Sequence, residues 1–181
     1  EKAVGRFDAV FLAIGAHLGK RTEIPSRDAG KMLDALSFLR DAAAGNAPKL
    51  GRRVAIYGGG NTAMDAARTA KRLGYEPLII YRRDRAHMPA HEAEADDALA
   101  EGVKIHWLRT IKQIDGATFT VEEMEVDADG KAKPTGRMET LEADALVLAL
   151  GQDVDTSFLS KVPGTQRKSD GTVLVSTSLM T

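Results

Sequence analysis

The stretch that decides the fold is "RVAIYGGGNTAMDAARTAKRL", Arg53 to Leu73. An apolar run, "RVAIY", meets three consecutive glycines, and a helix-forming run, "NTAMDAARTAKRLG", follows and stops at Gly74. Ordering three glycines is costly, because each loses more backbone freedom on folding than any other residue. Such a turn belongs where something must approach the backbone more closely than a side chain allows. After Gly74, "EPLIIY" is a second short apolar run. Strand, helix and strand then form one βαβ unit, with parallel strands and a right-handed crossover.

Upstream, "KMLDALSFLRDAAAG" carries Met32, Leu33, Leu36, Leu39 and Ala43 at three-to-four spacing. That spacing predicts an amphipathic helix ended by Gly45, with "NAPKLG" as a linker to the glycine strand. Further upstream, "FDAVFLAIG" (Phe7 to Gly15) is a continuous apolar run closed by glycine and reads as a buried parallel strand. A polar, Pro-containing segment, Lys20 to Gly30, separates the two.

Downstream, "AHEAEADDALAEG" predicts a helix ended by Gly102, and "VKIHWL" a third strand. Then the period changes. "TIKQIDG", "TFTVEEMEVDADG" and "RMETLEA" alternate and carry Asp-Gly turn signals, which predicts an antiparallel meander. "DALVLALG" (Asp144 to Gly151) returns to a buried parallel strand, and "GTVLVSTSLMT" reads as one more strand. The expected class is α/β: a three-layer Rossmann-like NAD(P)-binding domain with a central parallel sheet and an antiparallel β-meander.

Composition narrows the function. Of 181 residues, 43% are hydrophobic, enough for a real core, and the net charge of −1 comes with no basic patch to recommend nucleic acid. No apolar segment approaches the ~18 residues of a membrane span, and "EKAVGRFDAV" lacks the layout of a signal peptide, so a cytoplasmic protein is expected. The chain starts without Met and ends in strand-like "VLVSTSLMT", so both ends read as cuts through a larger protein. The absence of cysteine excludes a disulfide scaffold, a Cys-ligated metal or iron–sulfur site and a dithiol centre within this chain. His17, His87, His91 and His106 are scattered; His87 and His91, four apart, have no third ligand and read as solvated loop histidines.

Gly58, Gly60 and Ala63 match G-x-G-x-x-G/A between a strand and a helix. In that pattern the first glycine permits the tight turn, the second lets the backbone approach a pyrophosphate, and the small third residue lets the helix lie close on the strand. The helix N-terminus then offers N–H groups and partial positive charge to the phosphates, with Asn61 or Thr62 as the cap. Gly59 is an extra glycine for which the motif supplies no reason. The competing reading is a structural glycine turn in some other α/β domain.

At the end of the second strand, "YRRDR" places Arg82 and Arg83 22 and 23 residues after Gly60, where an acidic residue would favour NAD. Paired guanidinium groups suit a ribose 2′-phosphate, which points to NADP(H), with Arg85 as a third contact. The alternative is a solvated basic loop, and Asp84 would neutralise part of the cluster or contact the ribose. Asp65 reads as a first-turn carboxylate: either it stabilises the helix through the macrodipole, or it faces the nicotinamide end of the cofactor.

"VAIYGGGNTAMDAARTAKRLG", "IIYRRDRAHMPA" and "ALAEGV" together resemble the pyridine-nucleotide domain of the glutamate synthase small (beta) subunit and its relatives in the FAD-dependent pyridine nucleotide-disulfide oxidoreductases. The resemblance covers about Phe7 to Leu159. "FDAVFLAIGA" and "ADALVLALGQ" look like the family's two crossover segments between a FAD domain and the inserted NADPH domain. It implies a crossover strand and linker over residues 1–29, an NAD(P)H-binding domain over 30–151, and a return segment over 152–181. It implies that Gly58, Gly60, Asn61, Thr62 and Ala63 hold the pyrophosphate, that Arg82 and Arg83 hold the 2′-phosphate, and that Asp65 and Gly151 lie toward the nicotinamide; Gly59 and Arg85 complete the candidate cofactor-binding residues. No catalytic side chain is implied. NADPH would deliver hydride to FAD, which is expected only in the complete parent protein, because its glycine motif and its Gly-Asp segment are not in this sequence. The FAD domain, and a large-subunit or iron–sulfur acceptor, are the implied partners. A stand-alone dinucleotide-sensing module, and the same domain of a flavoprotein with another acceptor, remain alternatives.

Overall fold

The computed structural model describes residues 7–8, 11–20, 22–162 and 164–178. The chain divides into two compact units, residues 19–151 and residues 1–18 with 152–181. In chain order the strands are β1 (Leu18–Gly19), β2 (Ser26–Arg27), β3 (Lys31–Asp34), β4 (Arg53–Tyr57), β5 (Glu76–Tyr81) and β6 (Lys104–Trp107). They continue as β7 (Arg109–Asp115), β8 (Thr118–Val126), β9 (Ala132–Glu142), β10 (Ala145–Leu148) and β11 (Gln152–Asp153). The helices are α1 (Ala35–Ala43), α2 (Asn61–Arg72) and α3 (Glu92–Ala100), with a 3-10 turn at Ser157–Lys161.

In the larger unit the central sheet has the order β3-β10-β4-β5-β6, and every pairing in it is parallel. A second sheet, β2-β7-β8-β9, has antiparallel β7–β8 and β8–β9 pairs, and β2 joins β7 in parallel. The alternation of side chains along the central strands assigns the two faces. Val54, Ile56, Ile79, Tyr81, Ala145 and Val147 pack with the helices, whereas Ala55, Ile80, Leu146 and Leu148 pack with Ile111, Ile114, Phe119 and Val121 of the meander. Both faces are covered, which is why these strands read as continuous apolar runs rather than alternating ones. On α2 the buried stripe is Ala63, Met64, Ala66, Ala67 and Ala70, and its small side chains bring the helix close to the sheet.

A carboxylate fixes the start of the central strands. Asp144 Oδ2 accepts from the backbone N–H groups of Arg52 (2.8 Å) and Arg53 (2.7 Å), tying the entry of β4 to that of β10. These bonds hold the Asp144 carboxyl below its ordinary range, the Arg53 N–H contributing most.

Three sequence expectations need correction. The predicted helix over "KMLDALSFLRDAAAG" begins only at Ala35, because Lys31–Asp34 forms strand β3 and pairs with β10. Asp34 caps α1, accepting from Ser37 N at 3.0 Å, and Phe38 with Ala35 forms the fully buried face. The predicted strand Phe7 to Gly15 is absent among the described residues; residues 9 and 10 lie outside them, and Phe7, Phe11, Leu12 and Ile14 are exposed. An apolar run becomes a buried strand only with neighbours on each side, and the described residues provide none for it, whereas its sequence echo β10 lies between β3 and β4. The predicted strand at "GTVLVSTSLMT" is reduced to a single antiparallel bridge, Arg167 with Val173, and residues 179–181 lie outside the described set.

In the smaller unit, Leu159 on the 3-10 turn is buried, and Thr156 Oγ1 donates to the Gly171 carbonyl at 2.6 Å.

Candidate functional site

The carboxyl ends of β4, β5 and β10 gather the glycine turn, the arginines and Gly151, the location where open parallel sheets place ligands. Each of the three consecutive glycines has a different neighbour. Gly58 has φ +150°, and a Cβ there would overlap the Ala149 carbonyl oxygen and lie 2.8 Å from its carbon. A Cβ on Gly59 would collide with the Tyr81 ring, 2.7 Å from Cγ even at the third-nearest atom. Gly60 has extended backbone (φ −94°, ψ 177°), and nothing lies within 4 Å of where its Cβ would be. The side-chain space of Gly58 and Gly59 is filled by the protein, and that of Gly60 is open.

Gly60 is the N-cap of α2, so no side chain caps the helix, and Asn61 is its first residue. The expectation of Asn61 or Thr62 as the cap is therefore corrected: both lie inside the helix, and Asn61 Oδ1 accepts from His91 N at 2.8 Å. Ala90 N donates to the Gly59 carbonyl at 3.1 Å, so the loop before α3 is tied to the turn at two points. Thr62 is half-buried in the first helical turn, and Ala63 is fully buried against the sheet. Asp65 falls beyond the first turn, which holds no acidic residue, so the macrodipole reading of it does not apply. Partial desolvation raises its pKa, Glu94 on α3 adds to the rise, and Arg68 opposes it.

The arginines differ among themselves. Arg82 is exposed. Arg83 is half-buried, its guanidinium carbon 5.9 Å from the Tyr81 ring centroid and its Nε buried without a partner among the described residues. Arg85 pairs with Asp96 of α3. Asp84 is turned into its own loop, where Oδ1 accepts from His87 N at 3.0 Å and lies 2.7 Å from the His87 ring; that ring contact lowers its pKa. His87 is thus engaged rather than merely solvated. Gly151 follows β10 with φ +105°, and its carbonyl accepts from Lys20 N at 2.9 Å.

Tyr81 joins these parts and was not singled out by the sequence reading. Its hydroxyl donates to the His87 carbonyl at 2.9 Å, and its ring meets Trp107 edge-on at 6.3 Å. Burial raises the phenol pKa while the adjacent Arg83 cation pulls against it. The signal was its place at the end of β5, one residue past the Tyr57–Ile80 pairing and hence level with the glycine turn.

An uncapped helix N-terminus, an open glycine face and the Arg83 Nε, unpartnered among the described residues, form an arrangement suited to a phosphate-bearing ligand. A cavity of about 530 Å³ lies elsewhere, at the amino ends of β4 to β6 among Arg52, Lys71, Glu76 and Lys104. Its neighbours Arg52 and Glu76 form an ion pair, and nothing there approaches the glycine turn, so geometry and chemistry favour the carboxyl ends. Among the described residues no group of His, Asp and Glu is arranged to hold a metal ion, and no helix is long and apolar enough to cross a membrane.

The family described as pyridine nucleotide-disulphide oxidoreductase matches residues 2–181. The chain belongs to this family. The NADP(+)-dependent formate dehydrogenase subunit beta of Moorella thermoacetica is 39% identical over 168 residues, covering 84% of this chain and 24% of that protein. The glutamate synthase [NADPH] small chain of Azospirillum brasilense is 30% identical over 176 residues, covering 83% of this chain and 36% of that protein. The chain thus spans about a quarter to a third of these relatives, both named as parts of larger assemblies. Among solved structures, the FprA His57Gln mutant from Mycobacterium tuberculosis superimposes with a TM-score of 0.68 at 20% identity, covering 92% of this chain and 54% of that one. This likeness concerns the fold. Membership makes the chain an oxidoreductase domain with the Rossmann-like architecture read from its sequence. The family's name refers to disulphide chemistry, yet this sequence contains no cysteine with which to perform it.

Proposed function

We propose that this chain seats NADPH for hydride transfer to FAD within a larger flavoprotein oxidoreductase. The observation that carries the reading is the open face of Gly60 at the uncapped start of α2, in line with Arg82 and Arg83 at the end of β5. The site residues fit the cofactor on chemistry. A pyrophosphate can approach Gly60 where a Cβ would otherwise stand, and it meets the positive end of α2. The 2′-phosphate meets two guanidinium groups, one of them with a buried donor still unpartnered. Ala63 keeps α2 against the sheet, and Asn61 holds the loop before α3 beside the turn.

Bound NADPH supplies a hydride; the residues of this chain bind and orient it and transfer no proton themselves. FAD would come from the remainder of the parent protein, in keeping with a chain that matches only part of its relatives. Glutamate synthase small-chain activity is one setting. A second has a specific observation behind it: the relative with 39% identity is named an NADP(+)-dependent formate dehydrogenase subunit, so formate dehydrogenation is the other reaction this chain would serve. A large subunit or an iron–sulfur protein would take the electrons onward in either setting.

Trp107, the single tryptophan, packs on Tyr81 beside Arg83 and serves as a built-in reporter. Titration with NADPH should quench its fluorescence to saturation in the native chain. In Gly60→Val the quench should disappear, because the branched side chain takes the pyrophosphate's space while the extended backbone accommodates it. An undiminished quench in that variant would mean that the ligand does not sit on the turn.

A further inference from the structure

Tyr81 lies between the two halves of the site. Its ring occupies the space that Gly59 leaves free, the Arg83 guanidinium lies over the ring at 5.9 Å, and Trp107 closes the edge at 6.3 Å. The hydroxyl is bonded to the His87 carbonyl, and the residue is 5% exposed, so packing and hydrogen bonding fix the ring. Arg83 is held from the main chain as well, since its carbonyl accepts from Leu108 N at 3.2 Å. Arg82, one residue earlier, is exposed. A guanidinium already resting on an aromatic face has less freedom to lose on gripping a ligand than one waving in solvent.

We propose that Tyr81 is a positioning residue for dinucleotide choice: wedged against Gly59, it holds Arg83 ready for the 2′-phosphate of NADPH. This deepens, and rests on, the NADPH reading above. Gly59 thereby acquires a reason that the glycine motif does not supply. Its missing side chain lets the ring pass beneath the turn, so that the pyrophosphate seat and the 2′-phosphate cation are built against one another. Arg82 then adds charge from solvent, and Arg83 adds placed charge.

The test is the ratio of NADH to NADPH dissociation constants in the full chain, for the native protein, Tyr81→Phe and Tyr81→Leu. Partial unfolding weakens both constants alike and leaves the ratio unchanged. Tyr81→Phe keeps the ring and should hold the ratio within about twofold, whereas Tyr81→Leu should lower it about fivefold or more, through NADPH alone. In an Arg83→Ser background the Tyr81→Leu change should add nothing further to the ratio. Gly59→Ala, which displaces the ring without removing it, should also lower the ratio, and it decides the matter if Tyr81→Leu does not fold. A native preference for NADPH that survives Tyr81→Leu or Gly59→Ala overturns the role of Tyr81 and leaves the NADPH reading standing. An equal effect of Tyr81→Leu with and without Arg83 overturns it too. A native chain with no preference overturns both.

Discussion

The carbonyl of Ala149, at the end of β10, stands where a side chain on Gly58 would have to go. This contact brings β4 and β10 together at the turn, and Ala149 N completes it by donating to the Tyr57 carbonyl at 2.9 Å. It separates the roles of two glycines that look alike in the sequence.

Gly58→Ala should therefore destabilise the fold by about 1–3 kcal/mol, since it joins an unfavourable φ to an overlap with backbone. Gly60→Ala should cost less, no more than about 1 kcal/mol for the poorer N-cap, having extended backbone and open space, yet should weaken dinucleotide binding. Urea unfolding and calorimetric titration of both variants check this. Equal stability losses would remove the distinction.

Much of this was legible in the sequence because it rests on local pattern. The run "RVAIY", the glycines and the alanine stripe of α2 fix a βαβ unit whatever surrounds them, and the alternation of "TFTVEEMEV" fixes a meander strand. What was not legible depends on partners distant in sequence. "FDAVFLAIG" has the composition of a buried strand, but burial requires a sheet to join. Met32 and Leu33 fit a helical period, but pairing with β10 and the cap at Asp34 claim them for β3. Asp65 is a local matter instead: the helix begins at Asn61, as the run in the sequence does, and Asp65 therefore belongs to its second turn. The contact of Tyr81 with Gly59 follows from the register of β4 on β5, which no single segment encodes.

Asp144 gives a prediction in pH. Its folded-state pKa lies below the ordinary value of 3.8, chiefly through the backbone N–H groups of Arg53 and Arg52. The stabilisation is therefore fully present above about pH 4 and is lost as pH falls through the lower, folded-state value. Asp144→Ala should cost about 2–4 kcal/mol near neutrality, and the gap to the native protein should close on acidification. A gap that stays constant from neutral pH down through that range would show that the charge of Asp144 is irrelevant.

The purified chain should carry no flavin, because no FAD glycine motif or Gly-Asp segment is present in its sequence. A visible absorption spectrum checks this. A stoichiometric isoalloxazine band, expected at roughly 450 nm for an oxidised flavin cofactor, would mean that these residues hold FAD themselves and would change the assignment of the glycine turn.

Calorimetric titration of the native chain and of the Arg82→Ser, Arg83→Ser double variant with NADPH and NADH, at low and high salt, tests the central claim most directly. Hydrogen bonds to charged groups contribute roughly 1.5–3 kcal/mol each, so losing one such contact costs about one to two powers of ten in affinity. The native chain should prefer NADPH. The double variant should lose at least about tenfold of that affinity and little for NADH, and the native preference should shrink as salt screens the exposed part of the contact. Equal binding of the two nucleotides by the native chain, or equal weakening of both in the variant, would contradict an NADPH seat at these arginines.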